Sequence, residues 1–425
     1  MKQVDVAIAG AGLAGLCCAR RLTEAGVPCL VLEASDGLGG RMRTDEVDGF
    51  LLDRGFQVFL TAYPEAQSFL DYKALDLRAF EPGALVHVGN RFCRVSDPWR
   101  RPGRSLSALF SPIGTLPDKL RVAGLRAHVC KGSDDDAFGG PEVSTINFLR
   151  TRGFSPNIVE QFFRPFLGGI FLERELRTPS SMLRFVFRML ACGDVSIPAQ
   201  GMEQIPKQLA KALPSGTVCT GARVASLRDH RVVLEGGEQI AARSVVVATE
   251  GPEAGRLLGG KGPASRSATC LYFAADRAPL TEPILVLNGD GKGPVNNLCV
   301  PSVLSPAFAP PGATLISATV LDHSPAAVEQ LEADSRDQLA RWFGPQVWRW
   351  RLLRTYQIPH AQPDPSVARP ARTSCVAPSL YVCGDHCLHA SIQGAMVSGR
   401  KAAEAVLAEL INQSPKVKAG AGQLA

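Results

Sequence analysis

The stretch VDVAIAGAGLAGLCCARRLTEAGVPCLVLEAS, residues 4–35, decides the fold. Residues 4–9 form an apolar run suited to a buried strand, 12–25 carry a helical pattern, and 28–32 read as a second buried strand. That is a βαβ unit of ordinary length. Gly10, Gly12 and Gly15 occupy its first turn with G-x-G-x-x-G spacing. The first permits a tight turn, the second lets backbone approach a pyrophosphate, and the third lets helix pack closely on strand. The helix N-terminus offers unpaired N–H groups and the positive end of its dipole to phosphates. Glu33 ends the second strand, near the ~20-residue spacing at which an acid meets ribose hydroxyls. The unit predicts a dinucleotide without choosing between NAD and FAD.

The next segment, DGLGGRMRTDEVDGFLLDRGFQVF (36–59), narrows the choice. Gly37, Gly39 and Gly40 make a flexible loop before Arg41 and Arg43, and a hairpin is expected around Asp48-Gly49. A nicotinamide dehydrogenase would more often continue with another helix and strand. A second glycine-arginine loop suits the longer flavin nucleotide. The GDGKG run at 289–293 sits in a loop-like context, so no NADPH site is expected there.

Length and composition set the frame. At 425 residues the chain is long for one core, and two domains are expected. With 45% apolar and 20% charged residues it reads as a globular enzyme. A net charge of +6 gives no reason to expect nucleic acid. Apolar runs fall short of the ~18 residues of a membrane-spanning helix. Twelve scattered cysteines suggest reduced, mostly buried thiols and a cytoplasmic setting. Cys383 and Cys387 form a C-x-x-x-C pair without the partners of a zinc site, so they read as packing residues and no metal is expected. In RFCRVSDPWRRPGRS, Arg91, Arg94, Arg100, Arg101 and Arg104 face one acid, Asp97. A solvated loop is the plainer reading; a rim that attracts an anionic substrate or acidic lipid headgroups is the sharper one.

Residues 63–195 change character, with proline-rich loops and an aromatic stretch holding Phe162, Phe163, Phe166, Phe171, Phe185 and Phe187. Most of these are expected in the core, some in the wall of an apolar pocket. AQGMEQIPKQLAKALPSG (199–216) reads as a glycine turn into an amphipathic helix, Ser244 to Ala248 as a buried strand, 268–320 as strand-rich and 324–343 as a helix. Leu380 to Cys383 reads as a strand ending in Gly384-Asp385, followed by a loop and a long helix.

GAGLAG…LEAS, GGRMRT, SVVVAT and LYVCGDHCLHASIQGAMVSGRKAAEAVL together resemble the FAD-dependent amine oxidase superfamily, including its protoporphyrinogen oxidase-like and carotenoid desaturase-like flavoproteins. The resemblance implies an α/β fold: a Rossmann-type FAD-binding domain with a discontinuous α+β substrate domain, a sheet plus a helical cap. It assigns residues 1–62, 198–260 and 355–412 to the first and 63–197 and 261–354 to the second, with 413–425 as a disordered tail. It puts Gly10, Gly12, Ala14 and Gly15 at the pyrophosphate and Glu33 and Ala34 at the adenosine ribose. Gly40 and Arg41 would lie along the phosphates and flavin, Val224 at adenine, and Gly384 and Asp385 near the ribityl and pyrophosphate oxygens. Ile392, Gln393 and Ala395 would meet the isoalloxazine, with a helix beginning near Gln393 aiming its positive end at the ring.

The sequence also departs from amine oxidases proper. One of the two aromatic rings that flank the substrate there falls on Ser391 here, and no cysteine suits a covalent flavin link. The expectation is therefore non-covalent FAD and hydride abstraction from a small, hydrophobic but bulky molecule, with peripheral membrane contact open. Tyr356, Gln57 and His389 are the catalytic candidates, beside His360 and His386 in neighbouring segments. An amine or amino-acid oxidase is the first alternative, with Tyr356 or Tyr272 replacing the missing ring. A flavin-free lipid- or isoprenoid-binding escort protein is the second.

Overall fold

The computed structural model describes residues 2–101, 111–140, 142–228, 231–321, 328–365 and 374–413. The opening unit forms as read: β1 (Lys2–Ala9), α1 (Leu13–Glu24) and β2 (Cys29–Leu32). β1 pairs in parallel with β2 on one side and with the strand Gln239–Val247 on the other. The strand Leu380–Val382 adds in parallel to residues 245–247 of that partner. Three motifs far apart in the chain, at Gly10, Ala248 and Gly384, thus end side by side at the carboxyl ends of parallel strands. That is where open α/β sheets bind ligands. Val6, Ile8 and Val246 on one face and Ala7 and Val247 on the other have no exposure, as strands covered on both faces require.

Helix α1 and the final helix, Ile392–Gln413, pack on one face of this sheet. Their approach is close: a Cβ placed on Gly399 would lie 2.1 Å from the Ala14 carbonyl oxygen. Gly15 is constrained likewise, its hypothetical Cβ falling 2.0 Å from the Gly10 oxygen.

A second sheet has seven strands, in the order 351–363, 265–275, 314–321, 295–299, 285–288, 83–88 and 91–96. Thr314–Leu321 is buried at every residue. Ile316, Ala318 and Val320 pack with Leu331, Leu339 and Trp342 of the helix Val328–Phe343. The helix Arg164–Phe171 packs on the strands 285–288, 295–299 and 314–321 of this sheet. A three-stranded sheet of 59–60, 195–198 and 77–79 joins the two regions.

The structure adjusts several sequence boundaries. The expected domain break at 355 falls inside the strand Arg351–Pro363, which pairs with 265–274 along its length, so hydrogen bonding keeps 355–363 with the second sheet. The amphipathic helix after Gly201 spans Gln204–Lys211. Gln413 still belongs to the final helix, and the rest of the expected tail lies outside the described residues. Phe163, Phe171 and Phe185 are core, whereas Phe162, Phe166 and Phe187 are half-buried.

Candidate active site

One continuous cavity of about 970 Å3 runs from the carboxyl ends of the parallel strands to the second sheet. Its first half is lined by Gly10, Gly12, Ala14, Glu33, Ala34, Gly40, Arg41, Val224, Thr249, Gly384 and Asp385. Gly10 has φ of +108°, and a Cβ there would sit 2.8 Å from the Ala248 oxygen, so the turn admits glycine alone. A Cβ on Gly12 would meet nothing within 4 Å and would project into open space instead. Gly12 is also the N-cap of α1 and brings no side-chain cap, which leaves first-turn N–H groups for a ligand.

Glu33 is held rigidly at the end of β2. One carboxylate oxygen accepts from the Ala11 N–H at 2.7 Å; the other accepts from the Ser35 N–H at 2.9 Å and its hydroxyl at 2.8 Å. Arg41 donates to the Ala361 carbonyl at 2.8 Å and pairs with the buried Asp385 carboxylate at 2.8 Å. Burial pulls the Arg41 guanidinium down, but the charge and hydrogen bond of Asp385 outweigh it and raise it.

Thr249 is the last residue of SVVVAT, two positions past the end of the strand Gln239–Val247, and was not named there as a site residue. Its hydroxyl is buried, lines the cavity and has no hydrogen-bond partner. A pinned carboxylate, an uncapped helix start, a glycine cradle and an orphaned hydroxyl form a donor and acceptor set that fits an FAD dinucleotide.

The cavity then passes Ala390, Ser391, Ile392, Ala395 and Gln57. Ser391 starts the final helix: its hydroxyl accepts from the Gly394 N–H at 3.0 Å and lies 2.9 Å from Nδ1 of His389. The helix begins at Ile392, one residue earlier than expected. Gln57 donates to the Arg41 carbonyl at 2.7 Å. Beyond this point the walls are mostly apolar, formed by Phe56, Leu60, Phe162, Phe166, Ile170, Met182, Val186 and Phe187. Phe162 and Phe166 stack with centroids 5.3 Å apart. A π-helical turn at Val159–Phe163 interrupts the helical run and sets where Phe162 sits on the wall.

Some expected site residues lie elsewhere. Gly15 does not line the cavity; it serves helix-strand packing. Gln393 is also off the cavity, its side-chain oxygen accepting from the Glu65 N–H at 3.1 Å. Tyr356 points away, its hydroxyl donating to Asp45 at 2.7 Å and its ring meeting Tyr272 edge-on at 5.9 Å. Burial and the Asp45 bond push its phenol up to about 12, so it stays protonated. Neither Tyr356 nor Tyr272 supplies a cavity wall. His389 is held behind the wall between Phe138, at 4.9 Å, and Phe185, at 4.7 Å. Burial pulls its imidazole down to about 4, which leaves it neutral.

The arginine cluster finds more acids than its sequence neighbourhood offers. Arg94 pairs with Glu282 at 2.7 Å, Arg101 with Glu81 at 2.9 Å, and Arg100 with Asp194. Arg104 lies outside the described residues. Cys383 and Cys387 are buried, and no cluster able to hold a metal occurs among the described residues.

The chain matches the family described as flavin containing amine oxidoreductase over residues 13–407. Protoporphyrinogen oxidase 2 of Arabidopsis thaliana is 26% identical over 164 residues, 39% of this chain and 32% of that protein. The 15-cis-phytoene desaturase of Capsicum annuum is 41% identical over 172 residues, 38% of this chain and 30% of the relative. The matched stretches thus span about a third of those relatives. An oxidoreductase structure from Methanosarcina mazei superposes with a TM-score of 0.74 at 18% identity, covering 94% of this chain and 100% of that one, a likeness of fold.

Proposed function

Because the chain belongs to the flavin containing amine oxidoreductase family, we propose that it is an FAD-dependent oxidoreductase that takes hydride from a bulky, largely apolar substrate, with FAD held non-covalently. When bound, FAD supplies the two-electron acceptor. The residues of the chain supply position and a dry environment. Glu33, Gly10, Gly12, Thr249 and the Arg41–Asp385 pair would hold the nucleotide, and the Ser391-capped helix would aim its positive end at the ring.

The observation that carries this reading is the continuity of the cavity. A nucleotide-lined half opens directly into a half walled by Phe162, Phe166, Ile170, Met182, Val186 and Phe187. Such a wall suits a large apolar body better than a small charged amine. Ser391 offers no ring, and Tyr272 and Tyr356 are turned away, which argues against the two-ring arrangement of an amine oxidase. Trp99, which lines the cavity, and Leu116 and Leu120, on the helix that brings Lys119 to it, are exposed and support entry of an apolar molecule from a lipid surface.

The test is anaerobic bleaching of the flavin absorbance of purified protein by polyenes and porphyrinogens on one side and simple amines on the other. Bleaching by a polyene or porphyrinogen supports the proposal. Bleaching by amines alone overturns the substrate class. A colourless protein that refuses added FAD overturns the enzyme reading in favour of an apolar-ligand carrier.

A further inference from the structure

Two solvent-exposed cysteines, Cys130 and Cys192, end two helices that both wall the cavity. The helix Leu116–Lys131 brings Lys119, Val122 and Arg126 to it, and Ser180–Cys192 brings Met182, Val186, Phe187 and Leu190. Two hydrogen bonds fix how these helix ends meet. Arg188 donates to the Val129 carbonyl at 2.8 Å, and Arg126 donates to the Ala191 carbonyl at 3.0 Å. Each accepting residue immediately precedes one of the cysteines. The bonds run in opposite directions between the packed helices and bring the backbone just before each cysteine to the other helix, so both cysteines stand at the same corner of the pair.

We propose that Cys130 and Cys192 form a reversible modification site, a dithiol that closes to an intramolecular disulfide by exchange with a small disulfide such as oxidised glutathione. The step balances. One cysteine thiolate attacks a sulfur of the small disulfide, forming a mixed disulfide and expelling one thiolate. The second cysteine attacks the protein sulfur of that bond, forming the Cys130–Cys192 bond and expelling the other thiolate. The two protons lost by the cysteines end on the two released thiols, and the electron pair goes with them. Burial and the neighbouring Cys130 raise the Cys192 thiol, whereas Arg188 and Arg126 draw it down, so exchange speeds up as pH rises above neutrality.

The rest of the molecule offers a built-in comparison. Cys375 is the third exposed cysteine, and it lies in the strand Cys375–Ala377, which pairs with Leu380–Val382 in the first sheet. Seven others, including Cys17, Cys18 and Cys383, are buried and shielded from exchange. A closed bond would tie the two helices one turn beyond Arg126 and next to Leu190, and so stiffen one wall of the apolar half.

The experiment treats the full-length protein with oxidised glutathione at pH 8 and maps its peptides under non-reducing conditions. The expected result is a Cys130–Cys192 linked peptide, loss of both from the alkylatable pool, and recovery with dithiothreitol, while Cys375 carries only glutathione. In Cys130→Ser, Cys192 should retain glutathione as a stable mixed disulfide. The oxidised wild type should also melt several degrees higher than the reduced protein, a shift absent from Cys130→Ser. Persistence of glutathione on both cysteines in the wild type overturns the proposal, as does a disulfide that links two chains instead.

Discussion

Arg41 and Asp385 meet at 2.8 Å across the two ends of the chain, and the carboxylate is buried. The pair joins the glycine-arginine loop that follows β2 to the strand end at Gly384. It therefore closes the nucleotide half of the cavity from opposite sides.

Asp385→Asn keeps the shape and removes the charge. Arg41 then loses the partner that raises it while staying half-buried beside the Ala361 carbonyl. Flavin retention should fall at least tenfold, measured as the ratio of flavin to protein absorbance after gel filtration. Unchanged occupancy would separate this pair from FAD binding.

Thr249→Val tests the orphaned hydroxyl. The substitution preserves volume and removes a buried hydroxyl that no protein group satisfies. The apoprotein should become slightly more stable, because an unpaired buried hydroxyl costs about 1–3 kcal/mol. FAD affinity should fall about tenfold. A thermal melt of the apoprotein and a flavin titration read the two effects separately.

Asp53 is buried and accepts from the Thr44 hydroxyl at 2.6 Å and the Met202 N–H at 2.9 Å. Burial outweighs both bonds and raises its carboxyl from 3.8 to about 6. A carboxyl raised in the folded state favours folding when protonated. Its contribution is complete below pH ~4 and is lost as pH rises through about 6. Asp53→Asn should remove that decline, up to about 3 kcal/mol, in urea melts compared across this range.

His389 has the opposite sign. Burial holds its imidazole near 4, so its contribution is present above pH ~6.5 and is lost as pH falls toward about 4. His389→Gln should make the protein more resistant to acid, by at most about 3 kcal/mol at pH 4. The same variant should bleach flavin at nearly the wild-type rate, since the ring sits behind the cavity wall. A large loss of rate with unchanged stability would return His389 to the chemistry.

The sequence made the nucleotide half readable because its constraints are local. A glycine that must have φ of +108°, or whose Cβ would fall 2.0 Å from a carbonyl oxygen, leaves a mark at its own position. Glu33 and Asp385 were legible because each ends a short buried strand. Thr249 was hidden because its isolation depends on what the surrounding fold fails to offer. Tyr356 and His389 misled for the same reason: proximity in sequence to flavin motifs does not say which way a ring points, and Asp45 and Phe185 decide that from elsewhere. The apolar wall was half legible. The aromatic stretch announced itself, but only the π-turn at 159–163 and the second sheet sort Phe162 and Phe166 from Phe163.

Phe166→Ala separates the two halves of the cavity. Phe166 stacks on Phe162 and stands on the apolar wall, remote from Glu33 and Thr249 at the nucleotide end. Because the ring is half-buried and the cavity already open beside it, the stability cost should lie below the 3–5 kcal/mol of a fully buried phenylalanine. FAD content should be unchanged. The lost wall should reduce flavin bleaching by a porphyrinogen or polyene at low substrate concentration by about tenfold, equivalent to about 1.4 kcal/mol of lost apolar contact. If the wall only binds, the loss should disappear at saturating substrate; if it also orients the reacting C–H bond, the maximal rate should fall as well. Full activity toward every bulky apolar donor would mean that this half of the cavity does not receive the substrate.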